Sequence, residues 1–557
     1  MVIPPPIPLT EEALWCEGCS IYEIYIRSFY DANGDGIGDL RGIYERLDYV
    51  AKLGVDAVWI SPFFPSPMKD FGYDVSDYCA VDSRFGSLVD FDDVMTKAHI
   101  LGLKVIIDQV WSHTSEAHAW FVASADPAHS DYETYKDWFV WADAHPETGG
   151  APNNWLSVFG GAAWEWRPKR QQYYLHNFLK EQPDLNWRNP AVRDAIAEVA
   201  RFWLDLGVDG FRLDACNFFT HDAQLRDNPA KEHDTPRLIG IDEKNPFAEQ
   251  RHLYNINQPE TLVYLQELKQ KTIDHYHGRA LLGEIVAVNY PIQTIHTYVN
   301  HEIRLATAYS GALVHDGLFT IEEIADLLCR CEKEMSGQMV CWLTGTHDFP
   351  RFASRCGITS PKLKEAYLRL SIILLAAMRG HICIYQGEEL GLEEAVIAYE
   401  DMQDPYGIAL HPQAKTRDGC RTPMPWTKDE PNFGFSTAQK PWLPTCPAHG
   451  KNAIALMEKK PDSLLAFYRR VLHLRQNTLA LKLGTVEDIK VNGPVLTFSR
   501  KFNNQSLYCV LNFSATTQKA PDGLTCAQPL IASQDLSNLA LPPFYAGIYD
   551  SALLPHS

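Results

Sequence analysis

Acidic side chains stand at the ends of several short apolar segments of this chain. One segment carries Arg212 and ends at Asp214, a second ends at Glu284, and a third is followed by His347 and Asp348. Side chains alternate across a strand, so Arg212 and Asp214 are expected to project to the same side. A cation two residues before a carboxylate holds that carboxylate ionised. Taken alone, this pair is more typical of a structural ion pair than of a catalytic one.

The repetition of the pattern changes that interpretation. Asp74, Asp108 and His113 also follow apolar segments, and packing alone does not explain polar groups at so many strand ends. At the carboxyl end of a parallel barrel they would converge on one cleft. Two chemistries use such a set: metal-dependent hydrolysis, with carboxylates as ligands, and glycoside hydrolysis, with one nucleophilic and one proton-donating carboxylate. The 14 Trp, 25 Tyr and 25 Phe residues weakly favour a sugar substrate.

A loop near the start of the chain has the composition of a cation site. Asp31, Asn33, Asp35 and Asp39 place oxygen-bearing side chains on nearly every second residue, with Ile37 at the remaining odd position and glycines between them. Such a loop wraps readily around a hard cation. We expect one structural Ca²⁺, with Mg²⁺ as the alternative ion. A Gly/Asp-rich turn without metal is the competing interpretation.

The elements that must position these groups read as alternating strands and helices. Short β-branched or aromatic runs are followed by stretches of helical periodicity, as in a parallel sheet of β-α units. This alternation fits either a closed (β/α)₈ barrel or a doubly wound open sheet. We favour the barrel because of the strand-end carboxylates. The predicted strands are 21–26, 55–60, 104–110, 208–213, 280–283, 303–309, 339–343 and 381–385.

Breaks in the alternation divide the chain. Residues 1–110 and 190–475 are predicted to form the α/β barrel, with an irregular excursion near 389–450. The stretch 111–189, rich in Trp, Gly and Pro, is predicted to be a subdomain inserted after the third strand, because a structureless loop of that length is improbable. Residues 476–557 read as short alternating strands and predict a C-terminal antiparallel β domain.

Composition excludes several classes of protein. The 557 residues carry a formal charge of −20, which would repel nucleic acid and anionic membranes. We see no apolar run long enough for a membrane span and no export signal, and we expect a cytoplasmic protein. The 13 cysteines include the C-x-x-C pair Cys16 and Cys19, but reduced thiols are a better interpretation than a metal or redox site. No organic cofactor is expected.

Taken together, these motifs resemble the α-amylase superfamily, glycoside hydrolase family 13, near the α-glucosidases and oligo-1,6-glucosidases. The likeness covers the whole chain up to the β domain. It is carried, in order, by residues 21–29, 72–77, 182–186, 210–214, 283–284, 347–348, 385–389 and 421–424. The resemblance implies the same barrel, inserted subdomain and C-terminal β domain.

The resemblance also implies roles for individual residues. Asp214 would be the nucleophile, Glu284 the general acid and base, and Asp348 the third carboxylate that orients the sugar. Arg417 is as typical of a loop residue as of a second pocket arginine, and we include it in the candidate pocket. The other residues implied to hold the terminal glucose are Tyr73, Asp74, His113, Phe178, Arg212, His347 and Arg421.

The implied activity is that of a retaining, exo-acting α-glucosidase on small oligosaccharides or glucosides. Ala215 follows the nucleophile where relatives that prefer α-1,6 bonds tend to have Val, which favours α-1,4 bonds such as that of maltose. A net glucosyltransferase or isomerase on the same site is the alternative, and a non-catalytic scaffold is a third. The segment 109–113 reads Gln-Val-Trp-Ser-His and lacks the Asn that often precedes the histidine in the family, so we expect no second calcium site. The polar loop 218–258 is expected to shape the aglycone side.

Overall fold

The structure is a computed structural model that describes residues 15–300, 303–309, 311–412, 415–521, 524, 528–536 and 540–554. Its centre is a closed barrel of eight parallel strands that pair in sequence order. The first strand closes it, since Tyr22 pairs with Val58 of the second strand and with Ile384 of the eighth. The predicted barrel is confirmed, and the doubly wound sheet was the wrong alternative. The barrel strands are Ser20–Ile24, Ala57–Ile60, Lys104–Gln109, Gly210–Leu213, Ala280–Glu284, Thr307–Tyr309, Met339–Leu343 and His381–Tyr385.

The strands read as apolar runs because both of their faces are covered. Every residue of the second, fourth and eighth strands is buried. The sixth strand is the weakest, and only Thr307–Tyr309 of the predicted 303–309 is strand. It is nevertheless held on both sides, because Thr307 pairs with Leu282 and with Met339.

Helices pack around the barrel, and five of the eight principal ones begin at a capping side chain. The first helix follows Asp39, whose carboxylate accepts the Gly42 N–H at 2.6 Å, which satisfies one of the free N–H groups of the first turn. The long helix after the inserted region begins with Pro190 at its first turn, next to the capping side chain of Asn189. The principal helices are Leu40–Ala51, Leu88–Ile100, Pro190–Asp205, Pro259–Lys271, Pro291–Tyr298, Ile321–Glu334, Pro361–Ala377 and Leu464–Gln476.

The region between the third strand and Pro190 folds over one end of the barrel. It contains the short helices Ala119–Ser124 and Tyr132–Tyr135 and a three-stranded antiparallel sheet. That sheet is built from Trp141–Ala142, Gln172–Leu175 and Trp164–Arg167. Its aromatic residues form a local core, which explains the high tryptophan content of this stretch.

The C-terminal region is an antiparallel five-stranded sheet that packs against the barrel helices. Arg500 is buried and donates to carbonyl oxygens of Gly484, at 2.7 Å, and Ala377. Ala377 ends a barrel helix, so this guanidinium ties the sheet to the barrel. The strands are Thr485–Asn492, Val495–Phe502, Gln505–Asn512, Ile531–Ala532 and Ala546–Asp550, with a small ribbon of Gln518–Lys519 and Ala540–Leu541.

Within the described ranges, the helices are all too short or too polar to cross a bilayer.

Candidate active site

A cavity of about 310 Å³ opens at the carboxyl ends of the barrel strands, and all three candidate carboxylates line it. Asp214 follows the fourth strand, Glu284 ends the fifth, and Asp348 lies beyond the seventh. The carboxyl ends of parallel strands meet at one edge, and this brings together residues that are distant in sequence. The expected convergence of these side chains is therefore observed.

A single guanidinium joins the two residues predicted to do the chemistry. Arg212 is fully buried and lies 2.7 Å from Oδ1 of Asp214 and 2.5 Å from Oε2 of Glu284. It also donates to Oδ1 of Asp108 at 2.8 Å and to the hydroxyl of Tyr309 at 2.8 Å. Since both carboxylates are held by the same planar fork, they face the same cavity at short range.

Three carboxylates around one cation leave an excess of negative charge in a buried place. Burial raises the pKa of Asp214 to about 7, and the opposing charge of Arg212 only partly offsets it. Burial likewise raises the pKa of Glu284 to about 7, again against the effect of Arg212. Near neutral pH the pair therefore keeps a proton, which is the state that a nucleophile and a general acid require.

Asp348 has a different environment. Its Oδ1 accepts from Arg417 at 3.0 Å and from Arg421 at 2.9 Å. Burial alone would raise the pKa of Asp348, but the neighbouring His347, Arg417 and Arg421 lower it below its usual range. This carboxylate stays ionised over the whole physiological pH range and can accept hydrogen bonds from sugar hydroxyls.

Rings of Tyr73, His113 and Phe178 line the cavity. The predicted pocket residue His347 does not line it but is buried and contacts Tyr73. The Tyr73 hydroxyl lies 2.9 Å from Oδ2 of Asp108 and 2.7 Å from Nε2 of His347. The His347 ring stacks on the Tyr73 ring with centroids 5.3 Å apart, and the ring centroids of His113 and Phe178 are 5.2 Å apart. Burial lowers the pKa of His113 to about 4, so that ring is neutral and can hydrogen-bond a hydroxyl.

The position of one predicted pocket residue, Asp74, needs correction. Asp74 is fully buried behind the wall, where its carboxylate accepts the Ser66 hydroxyl at 2.8 Å and backbone N–H groups. Asp70, four residues earlier, lines the cavity instead. The tight turn of this loop directs Asp74 inward to satisfy its own backbone, which the spacing in the sequence did not reveal.

Of the two candidate arginines, Arg417 lines the cavity and Arg421 does not. Arg417 lines the cavity and donates to Asp70 at 2.8 Å, to Asp348 at 3.0 Å and to Asp404 at 2.8 Å. Arg421 is 1 % exposed and lies behind Asp348, where it also donates to the carbonyl of His347 at 2.7 Å. Arg417 is thus a pocket arginine rather than a surface residue, and Arg421 and Arg212 act from behind the wall.

Loops from three regions complete the mouth of the cavity. The inserted region contributes Phe159 and Gln182, and the excursion after the eighth strand contributes Tyr406. The loop after the fourth strand, expected to shape the site, contributes Leu238 and Asp242. Sequence reasoning missed Asp70, Phe159, Gln182 and Tyr406, because their positions depend on how separate loops meet. The available signals were Asp70, an aspartate three residues before Tyr73, and the motif 182–186, which begins with Gln182.

The candidate cation loop is folded on its own hydrogen bonds. Asp31 accepts the N–H groups of Gly34 and Gly36, each at 2.7 Å, and Asp35 accepts that of Ile37 at 2.8 Å. Among the residues that the structure describes, no group of three or more His, Cys, Asp or Glu side chains is arranged to hold a metal ion. Calcium binding by this loop, which would also use Asn33 and backbone oxygens, stays a prediction.

The Cys16 and Cys19 pair is not disulfide-bonded, and neither is any other cysteine in the described ranges. The Cys19 thiol is buried and lies 3.2 Å from Nδ1 of His381. Burial raises its pKa well above the usual value. A protonated, enclosed thiol has the properties of a packing residue rather than a redox centre.

A closed parallel barrel with paired carboxylates at its carboxyl end is an arrangement typical of glycoside hydrolases. The family model described as the α-amylase catalytic domain matches residues 23–484. The chain therefore belongs to the α-amylase family, glycoside hydrolase family 13, as the motifs indicated.

Relatives agree with this membership over nearly the full length. The chain is 46% identical to a probable α-glucosidase of Rhizobium meliloti over 91% of each chain. It is 32% identical to an oligo-1,6-glucosidase of Parageobacillus thermoglucosidasius, over 97% of this chain and 99% of that one. Among solved structures, an α-glucosyl transfer enzyme is 47% identical with a TM-score of 0.88, covering 96% of this chain and 99% of that chain. A trehalulose synthase from Pseudomonas mesoacidophila is 31% identical, with a TM-score of 0.85, covering 98% and 100%.

Proposed function

We propose that the protein is a retaining, exo-acting α-glucosidase that releases α-glucose from the non-reducing end of short α-glucosides. The observation that carries this proposal is the shared guanidinium of Arg212, which holds Asp214 and Glu284 against one cavity. Retaining enzymes need two carboxyl groups about 5–5.5 Å apart across one glycosidic bond. Relatives named as α-glucosidases and oligo-1,6-glucosidases support the same substrate class.

In the first step Asp214 attacks the anomeric carbon. The bond between that carbon and the glycosidic oxygen breaks, its electron pair goes to the oxygen, and Glu284 supplies the proton that the leaving group requires. Glu284 is suited to this role because burial keeps its pKa near 7. A covalent β-glucosyl ester on Asp214 results.

In the second step the now ionised Glu284 removes a proton from water, and the water oxygen attacks the anomeric carbon from the face that the aglycone left. The ester bond to Asp214 breaks and α-glucose departs, so the configuration is retained by two inversions. If a sugar or alcohol hydroxyl replaces water, the product is a transferred glucoside.

An exo mode of cleavage follows from the closed end of the pocket. Arg417 bridges Asp70 and Asp348 at 2.8 and 3.0 Å. We propose that this ion network closes the pocket to a further sugar and presents charged groups to the hydroxyls of a terminal glucose. The pocket then accepts one non-reducing glucose unit.

For linkage, we propose a preference for α-1,4 bonds. Ala215 lines the cavity, and its N–H donates to Oε2 of Glu284 at 3.0 Å, so the residue after the nucleophile contacts the acid directly. The test is the ratio of kcat/KM values for maltose and isomaltose in the wild type and in Ala215→Val. A ratio that favours isomaltose in the wild type contradicts the proposal.

Net glucosyl transfer is the second candidate. It is supported by the 47% identity to a protein named as an α-glucosyl transfer enzyme and by the apolar side chains of Leu238 and Phe349 at the mouth of the cavity. Apolar walls disfavour water relative to an organic acceptor. Product analysis at high maltose concentration separates the two: free glucose alone supports the hydrolase, and accumulating disaccharides support the transferase.

We propose one structural Ca²⁺ in the loop of Asp31, Asn33, Asp35, Ile37 and Asp39, where hard oxygen donors recur at alternate positions. Removal of the ion with EDTA should lower the melting temperature, and Ca²⁺ should restore it. An Asp35→Ala variant should lose this response. An unchanged melting temperature would contradict the proposal.

A cytoplasmic location is proposed with the enzyme. The free cysteines among the described residues support a reducing compartment. Fractionation of cells that express the natural chain is the test, and recovery of activity outside the cytoplasm contradicts it.

The decisive test of the activity is turnover of p-nitrophenyl α-glucoside by the wild type and by Asp214→Asn. Loss of the nucleophile should lower kcat by about 10⁴-fold or more. A folded Asp214→Asn protein with an unchanged rate would remove the nucleophile assignment, and an inactive wild type would remove the proposed activity.

A further inference from the structure

A buried carboxyl group of the first barrel strand contacts the site from below and has no role in the steps above. Glu23 is fully buried, and its Oε1 lies 2.5 Å from Nδ1 of His347. Its Oε2 has no hydrogen-bond partner among the described residues. An ionised carboxylate with an unpartnered buried oxygen is very costly, whereas the carbonyl oxygen of a neutral acid without a partner costs about 1–3 kcal/mol.

The protons around His347 can be counted from the other side of the ring. Asp108 accepts from Arg212 at 2.8 Å, from the Trp59 indole at 3.1 Å and from the Tyr73 hydroxyl at 2.9 Å. These three donors make Asp108 an acceptor. Tyr73 has a single hydroxyl proton and gives it to Asp108, so toward His347 it can only accept.

It follows that Nε2 of His347 carries a proton. This N–H faces the Tyr73 oxygen at 2.7 Å and Oδ2 of Asp348 at 3.3 Å. In a neutral imidazole, the other nitrogen is then an acceptor. Nδ1 faces Glu23, so the hydrogen bond between them requires that Glu23 be the donor. A protonated ring is disfavoured because burial lowers the pKa of His347 well below its usual value, with Arg421 and Arg212 acting in the same direction and Asp348 opposing them.

We propose that Glu23 is a positioning residue for the third carboxylate. As a neutral carboxylic acid it donates to Nδ1 of His347 and thereby fixes the Nε2–H of that ring toward Tyr73 and Asp348. The inference rests on the proposed function, because it concerns how Asp348 is oriented for a bound sugar. Glu23 acts through His347 and does not line the cavity.

The surroundings of Glu23 favour the neutral form. Burial raises the pKa of Glu23 well above its usual value, and Asp348 and Asp108 raise it further, while Arg212 and the His347 N–H oppose them. The titratable and charged groups that face it come from five elements. They are Asp108, Arg212, Tyr309, His347, Asp348, Cys383 and Tyr385.

The direct test is infrared difference spectroscopy between the wild type and Glu23→Gln at neutral pH. We expect the difference to show loss of the C=O stretch of a neutral carboxylic acid, shifted by deuteration. The matched control is Glu45→Gln on an exposed helix position, which should show loss of carboxylate bands only. Loss of carboxylate bands in Glu23→Gln would overturn the proposal.

Kinetics test the positioning role separately. Gln retains an N–H donor for Nδ1 and Leu does not, so Glu23→Gln should keep a kcat at least about tenfold above that of Glu23→Leu. Equal rates for two folded variants would overturn the role. If Glu23→Leu does not fold, the infrared comparison still decides, because it needs only the wild type and Glu23→Gln. An inactive wild type with the acid band present would refute the proposed function while leaving the protonation of Glu23 intact.

Discussion

At the scale of single residues, the chemistry depends on how many carboxylates share one cation. Arg212 contacts Asp108, Asp214 and Glu284 within 2.8 Å, and this crowding in a buried place retains a proton on the site near pH 7. The carboxylate of Asp348 shows the opposite pKa shift, because two neighbouring arginines help to keep it ionised. Environment, and not residue type, separates the three roles.

The first prediction at this scale concerns pH. Because the pKa values of Asp214 and Glu284 are raised to about 7, kcat/KM should be bell-shaped with a maximum near neutrality. Below it, protonation removes the nucleophile, and above it, ionisation removes the general acid. Glu284→Gln, assayed with α-glucosyl fluoride, should lose the alkaline limb. A wild-type profile that is flat from about pH 5 to about pH 9 would contradict this assignment.

A second prediction distinguishes the roles of Asp70 and Asp74, the two aspartates in the loop after the second barrel strand. Asp70 contacts Arg417 on the cavity wall, so Asp70→Asn should lower kcat/KM by about 100-fold with a small change in melting temperature. Asp74 satisfies buried donors, so Asp74→Asn should lower the free energy of unfolding by about 1–3 kcal/mol. Its kcat/KM should change by less than about tenfold. The reverse pattern would return the pocket role to Asp74.

At the scale of elements, strands place the reactive groups and loops shape the space around them. The loop after the fourth strand is fastened to the segment that follows Glu284: the Ile239 N–H donates to Val288 at 2.9 Å, and the Ala287 N–H donates to Ile239 at 3.1 Å. Leu238 and Ile241 of this loop line the cavity. Two backbone hydrogen bonds therefore hold this part of the loop against the segment after Glu284.

The hydrogen bonds between Ile239 and the segment after Glu284 can be tested by mutation. Ile239→Pro removes the N–H donor to Val288, so the loop should loosen and KM for maltose should rise about tenfold, with a smaller effect on α-glucosyl fluoride, which has no sugar aglycone. His233→Pro, at an exposed position of the same loop, is the control and should leave KM unchanged. Equal effects on both substrates would contradict an aglycone role for the loop.

The difference between strands and loops also explains what could be predicted from the sequence. Strand-end residues such as Asp214 and Glu284 were identifiable because the periodicity of a strand fixes the direction of its side chains. Asp70 and Phe159 were not, because they lie on irregular segments whose side chains point wherever tertiary contacts direct them. Asp74 was misplaced for the same reason.

At the scale of the whole molecule, the C-terminal sheet stabilises the barrel from outside the site. Arg500 of this sheet is fully buried and donates to the carbonyl oxygens of Ala377, at the end of a barrel helix, and of Gly484. Arg475, on the helix Leu464–Gln476, is also fully buried and donates to the carbonyl oxygens of Ala376 and Leu481. These contacts satisfy backbone acceptors that would otherwise be buried without partners. None of the residues in these contacts lines the cavity, so stability and chemistry should respond separately to mutation.

Arg500→Leu tests that separation. It leaves the carbonyls of Ala377 and Gly484 without their donor and should lower the free energy of unfolding by about 2–3 kcal/mol. The kcat/KM value of the folded enzyme should stay within about twofold of the wild type. Lys501→Met, at the neighbouring residue, removes only solvent-facing ion pairs and should change stability by less than about 1 kcal/mol. A large loss of kcat/KM in Arg500→Leu would show that the sheet influences the site.

The central claim is that Asp214 attacks the sugar while Glu284 protonates the leaving group. The most direct measurement is mass spectrometry of the enzyme after reaction with a slowly hydrolysed fluoroglucosyl fluoride, with peptide mapping of the label. The account predicts one glucosyl ester, located on Asp214, in an enzyme that releases α-glucose. A label on Glu284 or Asp348, or release of β-glucose without any covalent intermediate, would contradict it.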